Sequence, residues 1–138
     1  MSRFLGEDGL AMGIDPQEMV SVDIPKVSAI ISPAQFKFFN GYSYEYNILG
    51  AVYEILGDKK LDILFIDGDH HYEAVKKDYE MYSNLVKSPG MIILHDIGDF
   101  DTALGTTVEY WNKELRKKHP YAEIVSNPPV CGIGVIYV

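Results

Sequence analysis

"LDILFIDGDHHYEAVKKDYEMYSNLVKSPGMIILHDI", residues 61–97, reads as strand, turn, helix and strand. "LDILFID" (61–67) and "GMIILHD" (90–96) are near-continuous apolar runs. Strands covered on both faces look like this, and such strands belong to parallel sheets. Between them Tyr72, Val75, Tyr79, Tyr82 and Val86 recur at spacings of 3, 4, 3 and 4, one stripe of an amphipathic helix. Asp69 stands ahead of the stripe as a helix cap, and "SPG" (88–90) follows it as a stop. A strand, helix and strand joined by connections this short form a right-handed crossover with the two strands parallel in one sheet. Asp67 and Asp96 then emerge at the same edge.

Outward from this block, "MVSVDI" (19–24) reads as a third buried strand and "FKFFNG" (36–41) as a weaker fourth. "YEYNILGAVYEILG" (44–57) and "TTVEYWNKELRKKH" (106–119) read as helices. "AEIVSN" and "GIGVIYV", around "PPVCG", predict a closing antiparallel pair. The expected fold is α/β: a Rossmann-like, mostly parallel sheet with an antiparallel C-terminal edge, in one domain over residues 1–138.

Composition narrows the function. With 138 residues, 47% of them hydrophobic and 23% charged, the chain suits a single globular core. A net charge of -8 repels polyanions, which argues against a nucleic-acid partner. The one basic cluster, "KELRKKHP" (113–120), reads as a solvated helix end whose cations complement the helix dipole. Cys131 is the only cysteine, which excludes an intrachain disulfide and thiol-ligand metal sites such as a zinc cluster. No apolar run approaches the roughly 20 residues of a membrane span. The N-terminus carries acids where a signal peptide needs an apolar block. No membrane partner and a cytoplasmic location are expected.

Ligands of open α/β sheets bind at the carboxyl ends of the strands. Two carboxylates brought together there repel each other, and a cation relieves the repulsion. Oxygen ligands favour Mg²⁺ or a similar divalent ion. Asp67 and Asp96 are the expected pair, with His95 a further ligand or a hydrogen-bonded neighbour. His70 carries an imidazole, a side chain able to take a proton from a substrate hydroxyl. His71 reads as surface.

Residues 62–97, with "DGDH" after the first strand and a second strand ending in an acid, resemble the class I S-adenosylmethionine-dependent methyltransferases. The likeness is to the small-molecule group that includes cephalosporin-hydroxylase-like and sugar O-methyltransferases, and extends weakly over about residues 20–138. It implies methyl transfer from S-adenosylmethionine to the hydroxyl of a small-molecule acceptor, with Asp67 and Asp96 as metal ligands and His70 as general base. Asp23, at the end of "SVDI", resembles the acid that holds the cofactor ribose. Gly41 and Ser43 in "NGYS" resemble the loop beside the adenine, and Asp67 and Gly68 line the cofactor in the same comparison. Tyr42 stands where an acid is usual, "SPGM" replaces a double glycine, and His95 replaces a second acid.

The family's first strand and its Gly-rich loop should precede Asp23. Only 22 residues do, and "FLGEDGLAMG" has glycines with no apolar strand before them. The fold is therefore expected to be N-terminally incomplete, S-adenosylmethionine binding weak or absent in this chain alone, and a homo-oligomer a way to fill the sheet. Two other readings compete. One is a catalytically silent methyltransferase-fold module for binding or assembly. The other rests on "LFIDGD", which resembles the Asp-x-Asp nucleophile motif of haloacid-dehalogenase-type phosphatases.

Overall fold

The computed structural model describes residues 9–16, 36–98, 105–125 and 131–138. The strand expected at 19–24, and Asp23 with it, lie outside the described residues. Contacts gather the chain into two compact units, Met1–Tyr53 and Glu54–Val138.

In the first unit β1 (Ala11–Asp15) pairs in parallel with β2 (Phe36–Asn40), Ala11 opposite Phe36 and Asp15 opposite Asn40. The sequence reading assigns no strand to 11–15. The segment is short, contains Gly13 and has little alternation, so its strand character comes from the ladder it shares with β2. Helix α1 (Tyr46–Leu56) follows, beginning in this unit and ending in the second, with Ile48, Val52 and Leu56 buried at the 4-residue spacing of one helix face. Its entry turn is closed by Glu45, whose Oε1 accepts a hydrogen bond from the Tyr42 backbone N–H at 3.0 Å.

The second unit is a four-stranded sheet in the order β3 (Leu61–Ile66), β4 (Val86–His95), β6 (Ile133–Tyr137), β5 (Tyr121–Ile124). β3 and β4 are adjacent and parallel, with Ile66 opposite Leu94, as the crossover predicts. β6 runs antiparallel to both β4 and β5, which makes the expected antiparallel edge. Helix α2 (Tyr72–Tyr82) links β3 to β4 and buries Val75 and Tyr82 from the predicted stripe.

The end of that helix differs from expectation. α2 stops at Tyr82, a 3₁₀ turn covers Ser83–Leu85, and β4 has already begun at Val86. "SPG" thus lies inside a strand. Leu61 pairs with Val86 and Ile63 with Met91, so the residues between are accommodated as a bulge. Gly90 is required there, because an added Cβ would lie 2.4 Å from the Lys87 carbonyl oxygen.

The late helix is broken into α3 (Thr107–Tyr110), a π-helical turn (Trp111–Leu115) and α4 (Arg116–Lys118). Trp111, Leu94 and Ile136 have no exposed surface and centre the core with Ile92, Leu115 and Val75. The Trp111 indole N–H donates to Glu123 Oε1 at 2.6 Å, which satisfies its one polar atom. The Tyr110 ring meets Tyr72 and Tyr79 edge-on, at 5.3 and 6.1 Å between centroids. The basic cluster is a surface of local pairs: Lys118 with Glu114 at 2.8 Å, Lys113 with Glu109, and Arg116 with Asn112 at 2.7 Å. No helix among the described residues is long and apolar enough to cross a membrane.

Candidate functional site

The carboxyl ends of β3 and β4 emerge together because the strands are parallel neighbours in register. Asp67 directly follows β3 and Asp96 directly follows β4. His95, the last residue of β4, stands between them. Its Nδ1 lies 3.1 Å from Asp67 Oδ1 and 3.1 Å from Asp96 Oδ1, so the two carboxylate oxygens are within twice that distance of each other. His70 closes the group from the β3–α2 turn, with Nδ1 3.0 Å from Asp96 Oδ2 and Nε2 3.6 Å from Asp67 Oδ1. Its side chain is half exposed, facing the mouth rather than the core.

Backbone contacts hold His70 in place. Its carbonyl accepts hydrogen bonds from the Thr107 N–H at 2.9 Å and from Thr107 Oγ1 at 3.4 Å. The neighbouring Tyr72 N–H donates to the Gly105 carbonyl at 2.8 Å. α3 therefore fixes the turn that carries the imidazole.

Asp69 does not cap α2. The N-cap is His71, without a side-chain cap, and Asp69 Oδ1 instead accepts the His71 backbone N–H at 3.0 Å and faces His71 Nδ1 at 2.5 Å. These contacts, the backbone one first, hold the Asp69 carboxyl below the usual carboxylate range. The second acid of the Asp-x-Asp pattern thus pairs with the largely exposed His71.

Donor atoms of Asp67, His70 and His95 lie within 4.8 Å of one another, close enough to share a cation. His95 Nδ1 and Asp96 Oδ1 are buried and lack a hydrogen-bond partner. Leaving such atoms unsatisfied is costly. The Asp67 and Asp96 carboxylates both face His95 Nδ1, and a positive charge among them, a proton on the imidazole or a bound ion, offsets their mutual repulsion. Two ligands each about 2.0 Å from a tetrahedral ion stand roughly 3.3 Å apart, close to the 3.1 Å separations here.

Cys131 is the residue that sequence reasoning missed. Asp67, His70 and His95 form one group with ligand atoms all within 4.8 Å of one another, and His95, Asp96 and Cys131 form a second. The sequence reading excludes thiol-ligand sites because there is one cysteine, but the fold brings that thiol beside His95 and Asp96. β6 runs antiparallel to β4, so it starts at the edge where β4 ends, and Cys131 lies two residues before it. Gly98 permits the approach, since a Cβ there would lie 1.8 Å from the Cys131 carbonyl oxygen. Among the described residues, Asp96 (φ 57°) and Cys131 (φ 58°) are the non-glycine residues in the left-handed region. Such backbone costs of order 1–3 kcal/mol per residue and clusters at functional sites. Burial, then the Asp96 and Asp67 carboxylates, push the Cys131 thiol up.

Of the expected cofactor residues, Gly68 follows Asp67 without crowding: an added Cβ would approach only Asp78 Oδ2, at 3.8 Å. In the first unit, Gly41 and Ser43 lie in the loop directly after β2, and the Gly41 N–H donates to the Asp15 carbonyl at 3.2 Å. Asp15, the acid ending the strand beside β2, is a second residue the sequence reading passes over in favour of Asp23. A separate open cleft of about 460 Å³ is lined by His71, Tyr72, Glu73, Gly105 and Glu109, and by none of the four clustered side chains.

Residues 4–97 match the family described as a methyltransferase domain. Over 61 residues the chain is 39% identical to an uncharacterized protein of Acanthamoeba polyphaga mimivirus, covering 43% of this chain and 26% of that protein. An O-methyltransferase family protein from Burkholderia thailandensis is similar in structure with a TM-score of 0.64 at 10% identity, over 93% of this chain and 43% of its own. The MycE methyltransferase of the mycinamycin biosynthetic pathway, in complex with Mg, SAH and mycinamycin VI, gives 0.59 at 14% identity, over 94% and 36%. At these identities the structural likeness is one of fold. The chain spans less than half the length of each of these relatives.

Proposed function

The chain belongs to the methyltransferase-domain family, and we propose that it takes part in S-adenosylmethionine-dependent O-methyl transfer to a small hydroxylated acceptor. The observation that carries this reading is the convergence of Asp67, His70, His95 and Asp96 at the carboxyl ends of adjacent parallel strands. Methyl transfer needs little from the protein beyond alignment of the attacking oxygen and removal of its proton. His70 is suited to the second task. Asp96 Oδ2, 3.0 Å from Nδ1, favours a proton on that nitrogen and leaves Nε2 to accept one from the acceptor hydroxyl. Asp67, Asp96 and His95 are the residues that would hold a divalent cation, whose charge orients and acidifies the hydroxyl when bound.

For the cofactor we assign Asp15 as an acid that accepts hydrogen bonds from the ribose hydroxyls. It ends the strand paired with β2, and a carboxylate can accept two such bonds at once. Gly41 and Ser43 are assigned to the adenine end.

Calorimetric titration with S-adenosylhomocysteine tests the assignment. Asp15→Ala should weaken binding roughly 10- to 100-fold, the worth of charge-assisted hydrogen bonds to a carboxylate. An affinity indifferent to Asp15, or no binding at all, would overturn the cofactor reading. The double change Asp67→Asn and Asp96→Asn should abolish divalent-ion binding, and unchanged ion affinity would remove the cation from the scheme.

A further inference from the structure

We propose that Cys131 is a ligand of the cation, and that His95, Asp96 and Cys131 together make a mixed nitrogen, oxygen and sulfur site suited to Zn²⁺ or Co²⁺ rather than Mg²⁺. This rests on the cation reading above for the place of the ion and goes beyond it in its chemistry. The ligand atoms of the three residues lie within 4.8 Å of one another. A thiolate at about 2.3 Å and an imidazole or carboxylate at about 2.0 Å from one tetrahedral ion stand roughly 3.6 Å apart, so small side-chain adjustments close the set. Two of the three members present buried atoms without a hydrogen-bond partner, His95 Nδ1 and Asp96 Oδ1.

Donor type decides the ion. Mg²⁺ demands near-octahedral oxygen ligands and keeps its waters. A carboxylate pair alone would suit it. Replacing hard oxygens by an imidazole and a thiolate shifts the preference to borderline transition ions. Three protein ligands with a fourth position left open is also the pattern of catalytic rather than structural zinc. That position could take Asp67, whose Oδ1 is 3.1 Å from His95 Nδ1, or the acceptor oxygen. The close backbone approach at Gly98 and the hydrogen bond from the Ile97 N–H to the Gly132 carbonyl at 3.4 Å keep the thiol beside Asp96 before any ion arrives.

Preference for Zn²⁺ or Co²⁺ over Mg²⁺ would not by itself identify the thiol, because most mixed sites rank transition ions in the same order. The test is therefore spectroscopic. The metal-free chain is titrated with Co²⁺ and followed by the near-ultraviolet sulfur-to-cobalt charge-transfer absorption, with Zn²⁺, Co²⁺ and Mg²⁺ affinities measured by calorimetry. Cys131 is the only cysteine, so any such band reports on it. We expect the band in the unaltered chain and its loss in Cys131→Ser and Cys131→Ala. In both variants Zn²⁺ and Co²⁺ should bind more weakly by at least about 10- to 100-fold, the cost of losing a mere outer-shell partner, with Mg²⁺ affinity little changed. Co²⁺ bound without the band, or with unchanged affinity in folded variants, would overturn this inference and leave the Asp67 and Asp96 cation reading standing. No ion bound at all would overturn both. If the variants fail to fold, as judged by circular dichroism without metal, the band in the unaltered chain decides alone.

Discussion

Gly134→Ala is expected to destabilise the second unit through a single contact. Gly134 lies on β6, opposite Leu94 of β4 and Glu123 of β5. A Cβ there would stand 2.7, 2.8 and 2.9 Å from three ring carbons of Trp111. Carbon pairs prefer about 3.5–4.0 Å, so ring or strand must yield by roughly 0.8 Å. The ring has little freedom to retreat, since it has no exposed surface and its N–H is anchored on Glu123. Overpacking of this kind costs about 1–3 kcal/mol. Alanine recovers about 0.5–1 kcal/mol of backbone entropy relative to glycine in a strand, which leaves a central expectation of about 1 kcal/mol net loss. Urea unfolding followed by fluorescence measures this directly, because Trp111 is the only tryptophan and sits at the contact. Combining the change with Trp111→Phe, a smaller ring, should give a favourable coupling of at least about 0.5 kcal/mol, with the four variants followed by circular dichroism because Trp111→Phe removes the tryptophan signal. A single variant within about 0.5 kcal/mol of the parent, or a coupling of zero, would refute the packing argument.

Two further outcomes are expected. His70→Ala should lower the methyl-transfer rate by about 10²–10⁴ while S-adenosylhomocysteine affinity stays near its original value; equal losses in both, measured by kinetics and calorimetry, would mark His70 as structural. The Glu114 carboxyl is held down to about 2, first by Lys118 and then by the Tyr72 hydroxyl. A carboxyl depressed in the folded state contributes stability that is whole above its ordinary value of 4.5 and is lost as pH falls towards 2. Urea midpoints across that window should therefore fall less steeply in Glu114→Gln than in the parent.

The local signals in the sequence were strong wherever one element could be read from its own residues. The apolar runs at 61–67 and 90–96, the helical stripe of Tyr72, Val75, Tyr79 and Tyr82, and the alternating tail each declare their type through spacing. Their order then leaves a parallel β3–β4 pair and an antiparallel β6–β5 pair as the economical arrangement. Asp67, His70, His95 and Asp96 were legible as a candidate site for the same reason, since parallel neighbours must end at one edge.

Tertiary structure decided what depends on partners distant in the chain. β1 at 11–15 has weak strand character of its own and is a strand because its backbone pairs with β2. Val86 starts a strand rather than ending a helix because Leu61 lies across from it, and pairing outweighs the turn signal of "SPG". His95 became the centre of the cluster because its Nδ1 falls between two carboxylates contributed by different strands. Cys131 reached the site because β6 reverses direction against β4 and Gly98 lets the two backbones touch. A sequence pattern records the period of a segment, whereas a ligand set is defined by distances between segments, and only the packed sheet supplies those.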